Sequence, residues 1–501
     1  MPIKTIPLVG SSYVRQPDTA LLTKDQIFTN CSPEVIDNKY TRSMTAYITK
    51  REGHGDAVTT TAGNLARTGA TLWTGKADGT NPAVFSFVIG AGNAVEIWNV
   101  TTNSQIGSDI ATSNNCFEIT EAVVSGVSNL LAVISDSGTS LLEGWFFPEG
   151  GSWTQITDGD FPPNVGTPVP LAGAPVQLDG TTYWMTTGGV IYGSDLNSVS
   201  SYTATNFIAA QSYPDGGVGL ARYKDYVLGF GTRSVEPFYN AGNAVGSLLS
   251  PVEGVVITVG ALKNSNIPTI KQIGGTVYWI GVDINTGKQG VYRLNGWQAE
   301  KVSNEYIDKI VGTSGQIGGI AGVMVIFGMQ QIVFYNSSAT LTYNWVYCIE
   351  TGHWWKFAGA AQTKTIAAAL SPISTRPAAF AYRDGVGAGT MGDLSSYLDG
   401  IVAYTMTLQT ALINHGTDRR KFVKSVRLLA DTQASGTATL AASDDDYANF
   451  VTLGTFDMTS MDKRIQPGGS YKGGRSYRIT HSANTAFRAW GLEIEYEVGT
   501  S

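Results

Sequence analysis

Short runs of apolar and aromatic residues, each closed by Gly, Asn or Asp, recur along this 501-residue sequence and dictate what it can fold into. Thr276-Val-Tyr-Trp-Ile-Gly-Val-Asp283 is followed by Asn285-Thr-Gly287, Gly290-Val-Tyr-Arg-Leu294 and Asn295-Gly296-Trp297: strand, hairpin turn, strand, turn, strand. The cadence returns at Thr182–Met185 with Val190–Tyr192, at Asp225–Phe230 with Val235–Tyr239, and from Val323 through Phe357. Earlier copies are Ala94–Trp98 and Leu130–Ile134, with Trp145-Phe146 and Trp153. Helical periodicity is hard to find, so the chain is read as all-β.

Units of roughly 40 to 50 residues, each a short meander ending in an aromatic strand, predict the blades of a β-propeller, about six or seven between Thr60 and Tyr404. Radial repetition hides strand edges, which suits strands this short and numerous. The flanks differ. Residues 1–55 hold few meanders, and Lys24 to Glu34 reads as an irregular stretch pinned to something else. Residues 411–501 begin with a basic knot, Asp418-Arg-Arg-Lys421 with Lys424 and Arg427, and then alternate cleanly at Ala438–Ala442, Ser476–Thr480, Phe487–Trp490 and Leu492–Glu497. That alternation predicts a small β-sandwich. The expected organisation is an arm at 1–55, a propeller at 56–410 and a sandwich at 411–501, with the arm and sandwich together forming a tube or ring.

Composition removes several functions. Charged residues make up 15% and the net charge is −7, so there is no basic footprint for gripping nucleic acid or an anionic membrane. The 43% apolar content excludes disorder. Ile317–Tyr335, the most apolar window, is broken by glycines and Gln330-Gln331, and reads as paired strands rather than a membrane span. Cys31, Cys116 and Cys348 are too far apart for a disulfide framework or a zinc site, and the start of the chain lacks a signal-peptide pattern; synthesis in a reducing cytoplasm is expected.

Catalytic constellations are missing. His54, His353, His415 and His481 show no metal-ligand spacing, and His353 beside Trp354-Trp355 reads as a strand end in an aromatic corner. Gly90-Ala-Gly92 lacks the third glycine of a dinucleotide loop, and neither a P-loop nor a serine elbow occurs. The carboxylates a propeller glycosidase would need, Asp158, Asp160, Asp195, Asp215, Asp283 and Glu350, sit where turns favour Asp, without an arginine cluster. Ser443-Asp-Asp-Asp-Tyr-Ala-Asn-Phe450 has a faint likeness to a sialidase Asp-box, with Tyr447 in place of its glycine, and reads as a solvated turn. No enzyme activity, cofactor or metal is expected. For Arg419, Arg420 and Lys421 two readings stay open: a solvated strand start, or a contact with an acidic surface of a partner or second subunit.

Tyr213-Pro-Asp-Gly-Gly-Val-Gly219, Tyr223–Gly231 and Ser234-Val-Glu-Pro-Phe-Tyr239, ending at Gly242, together resemble the packaged-DNA stabilisation (tail hub or nozzle) family of short-tailed bacteriophages. Its pattern is a Pro-Asp turn, a strand closing on Phe-Gly, then Ser-x-Glu-x-Phe; Pro214, Asp215, Gly216, Gly231, Glu236 and Phe238 carry the match. Asn30-Cys-Ser-Pro-Glu34 resembles its Asn-x-x-Pro-Glu segment, and Ile48-Thr-Lys-Arg51 its lead-in to the first blade. The resemblance implies a virion tail component made in the host bacterial cytoplasm. It implies a homo-hexameric ring below the portal and adaptor rings that retains packaged DNA and forms its exit channel. It also implies attached spikes or fibres, with a needle or plug as a further partner, and no membrane insertion. An alternative from another class is a propeller module that binds or cleaves glycans.

Overall fold

The computed structural model describes residues 3–9, 26–38, 43–59, 65–73, 83–89, 95–99, 104–105, 110, 115–135, 142–164, 169–210, 212–264, 268–311, 317–326, 328–336, 342–359, 365–371, 378–383 and 390–499. Strand is the dominant secondary structure among them, and most strands form a β-propeller. Among the described residues, seven antiparallel blades follow in chain order. They start at Leu65, Asn115, Val176, Gly217, Val259, Gly319 and Thr365. The innermost strands touch one another in turn, and the seventh blade returns to the first. Residues Gly90–Ala94, the weak glycine loop, lie outside the described residues.

Closure comes from the other end of the chain. Gly53–Thr59 pairs antiparallel with Thr390–Ser396 and supplies the outer strand of blade seven. The lead-in after Arg51 therefore enters the last blade rather than the first. This mixes early and late sequence in one blade, so opening the ring means breaking a strand pairing and not merely undocking an end.

The Asn285-Thr-Gly287 hairpin and the paired strands Gly319–Ile326 and Met329–Tyr335 form as the alternation predicts. One element was not legible as a period: a short α-helix, Glu305–Ile310, between blades five and six. The Asn304 side chain accepts the backbone N–H groups of Tyr306 and Ile307, and Ile307 and Ile310 are buried. Two apolar positions in six residues are too few to reveal a helix by periodicity.

The flanking regions make a sandwich. Its first sheet joins both ends of the chain: Arg488–Val498 lies between Ile3–Pro7 and Lys421–Ala430, while Ser43–Lys50 pairs it further along and carries Cys31–Asn38 at the edge. Arg488–Trp490 and Leu492–Glu497 thus belong to one strand, with Phe487 just before it. A Cβ at Gly491 would stand 3.2 Å from the Ile6 carbonyl oxygen, so the interruption in the alternation is where Ile3–Pro7 comes close. The second sheet runs Val451–Asp457, Thr437–Ser443, Ser476–His481, Met406–Gln409, Ile27–Thr29. Met406 precedes the expected boundary at 411. Ile27–Thr29 and Cys31–Asn38 are also strands, so the stretch expected to be irregular is regular from Ile27 on, either side of Asn30, whose φ of 57° turns the chain; Lys24 and Asp25 lie outside the described residues.

Propeller and sandwich share a core. Thr29 pairs in parallel with Lys356 of blade six, which makes the second sheet continuous with that blade. Met324, Val346, Trp355 and Phe357 of blade six are buried in the same cluster as Phe28, Ile48, Leu408 and Leu492. At about 25 cal/mol per Å² of apolar surface, a buried seam of this size opposes separation of the two parts.

Candidate functional site

The residues singled out in blade four form a structural lock. Pro214 is exposed, and the Asp215 carboxylate accepts the backbone N–H groups of Arg233 (2.6 Å) and Ser234 (3.1 Å), tying the start of the innermost strand to the Gly231–Ser234 turn. A Cβ at Gly231 would stand 2.3 Å from that carboxylate, and one at Gly216 3.2 Å from the Thr187 carbonyl oxygen. Glu236 is buried and accepts the Ser212 N–H (2.8 Å); Phe238 is buried in the core between blades three and four. The motif fixes a blade-to-blade joint.

A second lock, which sequence reasoning touched only as a resemblance, sits between propeller and sandwich. Arg51 is fully buried and its guanidinium forks onto Asp399, Nη1 to Oδ1 at 2.9 Å and Nη2 to Oδ2 at 2.8 Å. It also donates to Asn30 Oδ1, Glu52 O and Ala358 O, and stacks 3.8 Å from the Tyr404 ring centroid. Tyr404 donates its hydroxyl to Arg51 O, and Asn30 Nδ2 to Thr405 O (2.9 Å). One side chain thereby gathers the N-terminal arm, blade six and the exit from blade seven. Next to it Lys50 is buried with its ammonium on Ala483 O; burial first, then Arg51, lowers its pKa to about 8 against a smaller opposing effect from Asp399.

The basic knot divides. Arg419 and Arg420 are exposed, while Lys421 is buried and donates to the carbonyls of Thr417, Arg419 (3.1 Å) and Gly473 (2.8 Å). Its ammonium is engaged within its own chain, so the two arginines carry what cationic surface the knot offers. Beside them the outer face of the first sandwich sheet holds Glu493, Glu495 and Glu497 on one strand. Lys424 reaches Glu495 (3.4 Å) and Arg427 reaches Glu493 (3.4 Å) and Asp462 (2.9 Å). The Ser425 hydroxyl, then Lys424, holds the Glu495 carboxyl below its ordinary pKa. This face alternates in sign.

One ion pair bears on what can pass through the propeller. Glu118, on the innermost strand of blade two, is paired with Lys271, on the innermost strand of blade five. Blades two and five are not neighbours, so this ion pair bridges the axial opening of the propeller. The carboxylates weighed for catalysis serve local structure: Asp158 accepts the Asp160 N–H, Asp195 the Ser201 and Thr203 hydroxyls, Asp283 the Asn285 N–H and Thr286 hydroxyl, and Glu350 the Gln330 N–H. Asp445 likewise accepts from Ser443 and Asn449 inside its hairpin. Among the described residues no group of three His, Cys, Asp or Glu is placed to hold a metal, and no helix is long and apolar enough to cross a membrane.

The family model described as bacteriophage P22 Gp10, beta-propeller matches residues 173–352, blades three to six with the seam strand at Trp354–Ala358 just beyond. Over those residues the chain is similar to that family's propeller, which supports a structural protein of a bacteriophage. No curated protein matches the sequence. Among solved structures, a computationally designed protein, Ika8, is 12% identical, covering 68% of this chain and 99% of its own, with a TM-score of 0.37. An exo-beta-1,3-galactanase from Phanerochaete chrysosporium is 10% identical over 86% of this chain and 100% of its own, TM-score 0.30. A chain of a mitotic checkpoint complex is 10% identical over 66% and 90%, TM-score 0.34. Superpositions this loose carry no argument about activity.

The sandwich makes one pH-dependent prediction. His415 packs 4.5 Å from the Tyr496 ring and His481 5.3 Å from Phe487; burial lowers each pKa from 6.5 to about 4, helped at His415 by Lys4 and Lys421 and at His481 by Lys50. The unfolded chain therefore takes up protons first as pH falls. Stability from these two sites is complete above 6.5, declines between 6.5 and 4, and loses nothing further below 4. Melting temperature should fall across that window, and His481→Gln should flatten the slope; an unchanged slope would show that carboxylates alone set the acid limit.

Proposed function

We propose that this phage protein forms a hexameric tail nozzle. It sits below the portal and adaptor rings, holds packaged DNA in place, forms part of its exit channel and carries spikes or fibres on its outward-facing propeller. The match of residues 173–352 to the phage-stabilisation propeller carries this reading. The geometry is compatible in two respects. The Glu118–Lys271 pair bridges the propeller axis, so a duplex has to pass outside the propeller, through an opening made by several copies. The sandwich, built from both ends of the chain, offers an alternating charged face of the kind a head-to-tail ring can use between unlike surfaces.

Electron microscopy of the particle, with native mass of the purified protein, tests the ring directly; a monomer with no tail-bound form would sink it. A sharper test concerns the knot. Arg419→Glu with Arg420→Glu should reduce tail incorporation at least tenfold while leaving the monomer's melting temperature unchanged, because both side chains are exposed. Normal incorporation would remove the two arginines from the interface.

A further inference from the structure

The second sandwich sheet carries a row of threonines that the fold does not need. In register across its five strands stand Thr455, Thr439, Thr480, Thr407 and Thr29, each directly opposite the next. All five are at least partly exposed, while their strand neighbours Phe456, Leu440, Ile479, Leu408 and Phe28 are buried in the core. The row lies on the outer face. At about 4.8 Å per strand it spans about 19 Å. Further hydroxyls flank it: Thr437, Thr459 and Ser482 line a shallow dish of about 590 Å³ with Thr439 and Thr480.

This face differs in kind from the opposite one. The first sheet exposes Glu493, Glu495, Glu497, Lys424 and Arg427. On the threonine face, charge is sparse and already engaged: Asp457 accepts the Thr459 N–H and hydroxyl; Arg478, two residues from Thr480 on the middle strand, donates to Gln409 and lies 3.5 Å from the Phe450 ring centroid; and Lys356, opposite Thr29 on the adjoining blade-six strand, lies over the Tyr343 and Trp345 rings.

We propose that the threonine face lines the channel and meets the duplex DNA in transit, and that the charged face meets protein. The proposal rests on the nozzle reading above and adds the orientation of each copy within it. Duplex DNA presents a dense line of phosphates. Each cation that contacts them releases counterions and adds affinity, so arginines or lysines on the wall would hold DNA in place, and a carboxylate column would repel it. Threonine hydroxyls can donate to a passing phosphate without either effect, and each such bond exchanges readily with water because the hydroxyl and the phosphate are both hydrated when apart. A five-strand wall of one neutral donor type therefore gives DNA a nearly even energy along its path. A mixed-sign wall does not, but it does suit a neighbouring copy, where opposite charges can be met one by one.

Cysteine-substituted particles decide the matter. Thr439→Cys, Thr480→Cys and Glu495→Cys are each incorporated into phage, labelled with a thiol-reactive aryl azide and irradiated; the background from the native Cys31, Cys116 and Cys348 is read from unsubstituted particles treated in the same way and subtracted. Residues 439 and 480 should cross-link to packaged DNA at least tenfold more than residue 495, which should cross-link to protein. Protein cross-links from 439 and 480, or DNA cross-links from 495, would reverse the assignment. Should a variant fail to incorporate, electron microscopy of the unsubstituted particle reads the same face directly, and residues 437–457 turned away from the lumen would overturn the proposal. Particles lacking the protein in any ring would instead defeat the nozzle reading itself, a result distinct from a ring whose faces are reversed.

Discussion

Asp399→Ala should be among the most destabilising single substitutions in this chain, lowering stability by about 3–5 kcal/mol. The aspartate and Arg51 are both fully buried, with side chains 0% exposed. Removing the carboxylate leaves a guanidinium that cannot neutralise itself, since arginine stays protonated, and that cannot reach water without opening the seam between propeller and sandwich. Its remaining contacts are to the Asn30 side chain and the carbonyls of Glu52 and Ala358, and these orient the charge without balancing it. Arg51→Met should cost less, because the stacked position between Phe357 and Tyr404 accepts an unbranched apolar chain and the orphan is then a carboxyl that can take up a proton. Combining both substitutions should recover part of the loss, giving a coupling energy above about 1 kcal/mol. Thermal melts of the three variants measure this. Purely additive losses would mean that the pair is not a unit, and a first transition unchanged by Asp399→Ala would mean that the seam does not limit unfolding.

How far this architecture could be read from sequence follows from the range of each signal. Blades announce themselves because a hairpin is local: Asn285-Thr-Gly287 encodes its turn within a few residues, and Trp279 and Tyr292, opposite each other on neighbouring strands, lie thirteen positions apart. The blade-four motif was legible in part, since a turn aspartate followed by a glycine with no room for a side chain leaves a mark in sequence, while its partner N–H groups eighteen and nineteen residues on do not. The closing strand Gly53–Thr59 and the Arg51–Asp399 fork were invisible because their halves are 348 residues apart at the fork. No periodicity spans such a distance, and a buried arginine looks in sequence like any exposed one. Lys421 shows the converse: a cluster of three basic residues reads as one surface, yet the strand's alternation sends its third member inward, between Arg420 and Phe422 that point out. The threonine row has a similar cause, because each threonine is an ordinary strand residue until five strands from both ends of the chain bring them into line.

Gly231→Ala is expected to cost about 2–4 kcal/mol, more than the loss of the Asp215 cap itself, and the comparison tests what the family motif is for. Asp215→Ala leaves the N–H groups of Arg233 and Ser234 without their acceptor. Arg233 N–H is at an exposed turn where water can replace the carboxylate, so that loss should stay near 1–2 kcal/mol. A methyl at Gly231 meets the carboxylate at 2.3 Å, its carbon at 2.6 Å and its second oxygen at 2.7 Å, a contact no rotamer of an aspartate still bonded to Arg233 relieves. Either Asp215 leaves both N–H groups or the strand Tyr226–Gly231 shifts; the second drags Phe230, buried against Trp279 at 5.6 Å between ring centroids, out of the core shared by blades four and five. The double variant Gly231→Ala, Asp215→Ala separates these routes. If the methyl acts only by evicting the carboxylate, the double variant should be no less stable than Asp215→Ala alone, and the two losses should be strongly non-additive. If the strand itself moves, Gly231→Ala alone should cost more than Asp215→Ala alone, and the double variant should regain that excess because the clashing carboxylate is gone. Additive losses would place the glycine's role outside its contact with Asp215, and the motif would then have to be explained by something other than a blade-to-blade lock.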